Sequence, residues 1–323
     1  HYPVRYGVMC FALRWHQLFR RGHFLRFNGL PSMTGQSTFV FFLVCLAAIH
    51  SRFSLAKEPE TQSDVPYATV QEIDLKLDFY PSEKEGISPL IVWVHGGAWR
   101  RGNKSSVPIK GLTEAGFSIA SLDYRLSGTA RFPAQAQDIK AGIRFLRAHA
   151  ERFQIDANRI VIAGASAGGH LAALVGVSDS VARLEDYAMG NADVKSNVAA
   201  IVSLYGASNL QTILSQSTPH GLSVRTPALR LLLGGLPDAE ADLARLASPV
   251  EHVDASDPPL LLIHGDQDPQ MPINQSHELQ GAYERAGVPV TFDVLHGAAH
   301  GGKAFYDDKN LKRMADWIKQ QIR

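Results

Sequence analysis

The stretch Gly164-Ala-Ser-Ala-Gly-Gly-His170 sets one hydroxyl among small side chains just after the apolar run Ile160-Val161-Ile162. Its first five residues fit G-x-S-x-G. Between a strand and a helix, that pattern holds a serine on a strained turn with its hydroxyl exposed at the sheet edge. Taken alone it also suits a structural serine where a helix crosses a strand. No G-x-x-x-x-G-K-[ST] accompanies it, so a phosphate cradle has less support.

A serine hydroxyl is a weak nucleophile near neutral pH and needs a positioned base, usually histidine. Leu295-His-Gly-Ala-Ala-His-Gly301 offers two candidates, His296 and His300. The flexible, Gly-flanked setting favours His300 as the base and leaves His296, directly after an apolar run, with a structural part. Their i, i+4 spacing could also suggest a metal pair. Gly297, Gly301 and Gly302 disfavour the rigid helix that would require, H-E-x-x-H is missing, and no metal is expected.

The imidazole in turn needs a carboxylate to hold its tautomer. His264-Gly-Asp-Gln-Asp-Pro-Gln-Met-Pro272 supplies Asp266 and Asp268. Asp268 stands further into the loop, toward where His300 must reach, whereas Asp266 is placed to cap the turn. Attack on a carbonyl also requires donors for the oxyanion. In His95-Gly-Gly-Ala-Trp99 the glycines let backbone approach a ligand. The N–H groups of Gly97 and Ala98, with that of Ala167, are the expected oxyanion hole. His95 reads as an anchor for this loop. Trp99 is the candidate substrate-binding wall, with a merely packed indole as the alternative.

Among the elements around these groups, Ile73, Leu75, Leu77 and Phe79 alternate with polar residues, which predicts a half-exposed edge strand. Runs at 90–94, 117–122, 160–163, 199–204, 260–263 and 290–295 are apolar without alternation, as in strands covered on both faces. Helical spacing recurs through Ile139, Ile143, Leu146, Ala150 and Phe153, and residues 167–176, 273–286 and 303–322 also read as helices. Strands alternating with helices predict an α/β domain over 68–323 with a mostly parallel sheet and helices on both faces. Each chemical motif follows its own strand, in the order Ser166, Asp268, His300. Residues 206–258, with a helical candidate at Ala228 to Leu233 and the Gly234-Gly235 break, form a long insertion: a lid or pocket wall, or an enlarged crossover.

Residues 57–67, with Pro59 and Pro66, read as a linker. Before it, residues 1–56 form a leader with six arginines and no acid. Removing those six from the 32 basic residues leaves 26 against 31 acidic ones, a net charge of −5 with His neutral, so a nucleic-acid partner has no electrostatic support. Phe39 to Ile49 is apolar but shorter than the roughly 20 residues that span a bilayer, so no stable membrane span is expected. It reads as the core of a secretory signal with a cleavage site near Ser54-Leu55-Ala56, or as an interfacial helix kept in the mature chain. The first residue is His, which makes Met9 or Met33 a candidate start; a start at Met33 weakens the signal reading. Export to periplasm or medium is expected if the signal is genuine, and a cytoplasmic location otherwise. Both cysteines, Cys10 and Cys45, lie in the leader, so a chain cleaved after Ala56 has neither disulfide nor thiolate chemistry. Phe42-Leu43-Val44 lacks the small residue that a lipoprotein anchor at Cys45 would need.

The motifs HGGAW, DYRL at 123–126, FPAQAQD at 132–138, GASAGGHLAAL, HGDQDPQMP and HGAAHGG resemble the α/β-hydrolase superfamily over about residues 68–320. Within it the chain is similar to the esterase/lipase branch with hormone-sensitive-lipase-like, carbohydrate-esterase-like and BD-FAE-like members. The resemblance implies an eight-stranded, mostly parallel sheet with an antiparallel second strand, and a Ser166–His300–Asp268 triad that needs no cofactor. It further implies hydrolysis of short-chain acyl esters, with acetyl or feruloyl esters of polysaccharide as candidates. Ala98 departs from the usual third glycine, but a backbone donor survives there. Asp123 to Arg125 and Asp138 are expected to support the site through hydrogen bonds. Rival readings are an arylformamidase-like amide hydrolase and a non-catalytic binding module on the same fold.

Overall fold

Apolar runs without alternation bury both faces of a strand, and the pattern recurs often enough here to build one sheet. The computed structural model describes residues 60–323; the leader with its cysteines and expected cleavage site lies outside the described residues. Eight strands follow: β1 (Gln62–Val70), β2 (Ile73–Tyr80), β3 (Ser88–Val94), β4 (Ser118–Leu122), β5 (Ile155–Ala165), β6 (Ala200–Leu204), β7 (Leu260–Gly265) and β8 (Val290–Leu295). Their order is β1-β2-β4-β3-β5-β6-β7-β8. β2 runs antiparallel to both its neighbours, and β4 to β8 pair in parallel, as the resemblance implied.

The helices are α1 (Ala134–Ala148), α2 (Ala150–Phe153), α3 (Ala167–Gly176), α4 (Ile213–Gln216), α5 (Pro219–Leu233), α6 (Ala241–Leu246), α7 (Asn274–Ala286) and α8 (Asp308–Gln321). Along β3, Leu90, Val92 and Val94 pack with Ile139 and Ile143 of α1 and Leu171 of α3. The alternate residues Ile91 and Trp93 pack with Leu112 and with Met314 and Ile318 of α8 on the opposite face. The period of two thus feeds two cores at once.

Four expectations are corrected. The strand at Ile73–Tyr80 is not the edge, because β1 pairs outside it. The expected linker accordingly begins the fold at Gln62. Pro66 suggested irregular chain, but an edge strand tolerates a residue without an N–H, and β1 shifts register beside it. The single helix expected over 303–322 is a 3-10 turn at Lys303–Phe305 and then α8, restarted where the Asp307 side chain accepts the N–H of Asn310. Within the insertion, α5 begins at Pro219 rather than near Ala228. Thr218 caps it by accepting the Gly221 N–H, and Pro227 is accommodated inside it.

His95, Ser166, Asp268 and His300 come after the C-terminal ends of β3, β5, β7 and β8. Parallel strands put those ends on one edge of the sheet, where such folds bind ligands.

Candidate active site

Ser166 lies between β5 and α3 with φ 56° and ψ −117°, a strained conformation for a residue with a Cβ. Two close approaches explain the glycines beside it. A Cβ on Gly164 would sit 2.3 Å from the Gly168 oxygen, and one on Gly168 would sit 2.0 Å from the Val94 oxygen. The backbone N–H of Ser166 donates to the Leu204 oxygen at 2.9 Å, fixing the turn against β6.

His300 Nε2 is 2.8 Å from Ser166 Oγ, and its Nδ1 is 2.6 Å from Asp268 Oδ2. A carboxylate only accepts, so Nδ1 carries the proton and Nε2 is free to take one from the hydroxyl. The other oxygen of Asp268 accepts the N–H groups of Gln270 and Met271, each at 2.8 Å. His264 Nε2 stands 3.4 Å from Asp268 Oδ2. Burial opposes ionisation of Asp268, yet the hydrogen bonds from His264, His300 and the Met271 N–H outweigh it, holding the carboxyl well below the usual range.

The neighbouring candidates pair with each other. His296 Nδ1 lies 2.8 Å from Asp266 Oδ2, while Asp266 Oδ1 accepts the Gly297 N–H at 2.7 Å. His296 is exposed, and this pair ties the loop after β8 to the loop after β7 without reaching Ser166.

Gly97 and Ala98 line the cleft beside Ser166. Gly97 has φ +119°, and a Cβ there would meet the Arg101 oxygen at 2.0 Å, so this turn requires glycine. Neither N–H of the pair is donated to another described residue. Ala167 is the first residue of α3, whose opening N–H groups have no partner within the helix. His95 stacks on Tyr124 at 4.4 Å, and the Tyr124 hydroxyl donates to the His95 oxygen at 3.1 Å. The buried Asp138 takes the backbone N–H of Arg125 and both Nε and Nη2 of its guanidinium, bracing the chain that carries Tyr124.

Trp99 corrects its expected place on the pocket wall. It is fully buried and absent from the cleft lining, and its indole donates to His170 Nδ1 at 3.0 Å. The actual wall includes Tyr205, Tyr306, Val224 and Arg225 around a cavity of about 420 Å³. Tyr205 meets the His300 ring edge-on at 4.8 Å, and its hydroxyl is 2.6 Å from that of Tyr306. Val224 and Arg225 come from α5, which makes the insertion a pocket wall. Sequence reasoning missed Tyr205, Tyr306, Arg225 and His264. Only His264 lay inside a recognised motif; the others meet the site through long-range packing. Among the described residues, no group of three or more His, Cys, Asp or Glu side chains is arranged to hold a metal ion, and no helix is long and apolar enough to cross a membrane.

Residues 77–283 match the family model BD-FAE. Esterase LipC of Mycobacterium tuberculosis is 31% identical over 67% of this chain, which spans only 56% of that relative's length. Among solved structures, a truncated carbohydrate esterase from gut microbiota superposes with a TM-score of 0.74 at 32% identity, covering 82% of this chain and 98% of its own. The butyrate-bound Est2 esterase of Thermogutta terrifontis gives a TM-score of 0.65 at 26% identity, covering 82% and 94% respectively.

Proposed function

Because the chain belongs to the BD-FAE family of α/β-hydrolases, we propose that it is a serine carboxylic-ester hydrolase acting on short-chain acyl esters. The observation that carries this reading is the position of His300, 2.8 Å from a strained Ser166 hydroxyl and 2.6 Å from the Asp268 carboxylate. Ser166 is the nucleophile, His300 the base and Asp268 the group that orients and stabilises the imidazolium.

The sequence of bonds follows from that arrangement. His300 Nε2 takes the Ser166 proton as Oγ attacks the ester carbonyl. The N–H groups of Gly97, Ala98 and Ala167 receive the oxyanion. The tetrahedral intermediate collapses, the alcohol departs with the proton from His300, and Ser166 remains acylated. Water then gives a proton to His300 and attacks the acyl carbon; the second tetrahedral intermediate collapses to the acid, and Ser166 Oγ leaves with the proton returned by His300. Every proton is carried by His300, so the cycle needs no cofactor.

The modest cleft supports a short acyl group, as does the similarity to an esterase solved with butyrate. The similarity to a carbohydrate esterase supports an acyl group carried on a sugar. Export through the apolar leader is part of the same reading, since polymer-linked esters lie outside the cell.

The test is hydrolysis of 4-nitrophenyl acetate, butyrate and octanoate by the chain and by Ser166→Ala, with labelling by a fluorophosphonate. Release of acetate or butyrate that falls by about a thousandfold or more in the folded variant is expected. Equal rates in both proteins, or a folded wild type that neither hydrolyses nor is labelled, would overturn the reading.

A further inference from the structure

Arg225 is 1% exposed and lines the cleft that holds Ser166 and His300. Its Nε donates to the Gln270 oxygen at a long 3.3 Å, and its Nη2 is buried without a hydrogen-bond partner. Burial lowers its pKa to about 10, opposed by the charge of Asp268, so the guanidinium remains charged at neutral pH. A buried charged donor left unmet is costly, and one distant carbonyl is a poor match for a five-donor fork.

No protein carboxylate completes it. Asp268 already gives its oxygens to His300, Gln270 and Met271. The residues lining the cleft include no aspartate or glutamate, whereas a second arginine, the exposed Arg101, does line it. A cleft with two guanidinium groups and no acid offers an anion both attraction at the mouth and a partner within.

We propose that Arg225 binds a carboxylate on the substrate, so that the preferred ester carries an anionic group in either its acyl or its alcohol half. This rests on the hydrolase reading of the same site and narrows its substrate class. Arg101 draws the anion toward the cleft, and Arg225 holds it.

Two matched pairs of esters test this in the full chain: 4-acetoxybenzoate against 4-acetoxybenzamide, and mono-4-nitrophenyl adipate against 4-nitrophenyl hexanoate. Each kcat/KM is normalised to the ester's alkaline hydrolysis. The charged member of at least one pair should be favoured by about tenfold or more, as expected for a buried charge-assisted contact. Arg225→Met should reduce that ratio to near unity and Arg225→Lys should retain part of it. Should the Arg225 variants fail to fold, Arg101→Ala decides: a preference that persists supports Arg225 as its source, and one that disappears overturns the assignment. Hydrolysis of both members at equal normalised rates overturns this inference alone. Hydrolysis of neither would instead sink the hydrolase reading.

Discussion

Trp99 Nε1 stands 3.0 Å from His170 Nδ1, with the two rings edge to face at 5.3 Å. An indole only donates, so Nδ1 is the unprotonated nitrogen. Nε2 lies 2.7 Å from the Ala247 oxygen and carries the proton. One neutral imidazole thereby joins the loop after β3, the helix that follows Ser166 and the end of the insertion.

Acid should therefore act on His170. Burial, only partly offset by the Ala247 carbonyl, lowers its pKa to about 4. An unfolded histidine titrates near 6.5, so between those values the unfolded chain binds a proton that the native chain refuses. The neutral ring's contribution is whole above pH 6.5 and erodes as pH falls, by about 2 kcal/mol at pH 5. Urea midpoints at pH 7.5 and 5.0 for wild type and His170→Gln, which keeps one donor and one acceptor, check this. The wild type should lose more stability on acidification; parallel losses would remove His170 from the account.

Asp268→Asn should separate the two acid–histidine pairs. Asn Oδ1 can keep the N–H bonds from Gln270 and Met271, which turns Nδ2 toward His300 and forces the wrong tautomer. A fall in kcat on the order of ten-thousandfold is expected. His296→Gln disrupts only an exposed pair and should change kcat/KM by about threefold or less. Steady-state kinetics on 4-nitrophenyl acetate distinguish the two, and comparable losses would refute the assignment of His300 over His296.

Gly168→Ala places a Cβ 2.0 Å from the Val94 oxygen, a backbone atom that cannot swing away. The strand–helix contact must open, at a cost of about 2 kcal/mol or more. Thermal unfolding should show a Tm lowered by several degrees, with a reduced kcat because Ser166 shifts. A Tm equal to wild type would mean that the turn has more room than its glycines imply.

Removing the Asp138 side chain leaves Arg125 half-buried beside an empty site. Asp138→Ala should lower unfolding stability by about 3 kcal/mol, as breaking one side of a buried ion pair typically does. Denaturant titration reads this directly, and a loss indistinguishable from that of a surface substitution would show that the pair does not brace the site.

The sequence by itself determined strands β2 to β8, most of the long helices and the chemical groups that follow the strands. Apolar runs, glycine spacing and the order of Ser166, Asp268 and His300 are local signals, legible because periodicity and turn sterics act over only a few residues. Only the tertiary structure decided which partners meet. Asp266 and Asp268 are two residues apart, yet they pair with histidines 30 and 32 positions away, and the loop path selects which. The same holds for Trp99, whose identity is compatible with either a pocket wall or a packed indole until His170, itself held by the Ala247 carbonyl, takes its N–H. β1 was hidden because Pro66 weakens a strand signal everywhere except at an edge, and edges are a property of the assembled sheet. Arg225 had no local signal at all, since an arginine on a helix becomes part of a cleft only when burial takes away its water and packing brings Gln270 beside it.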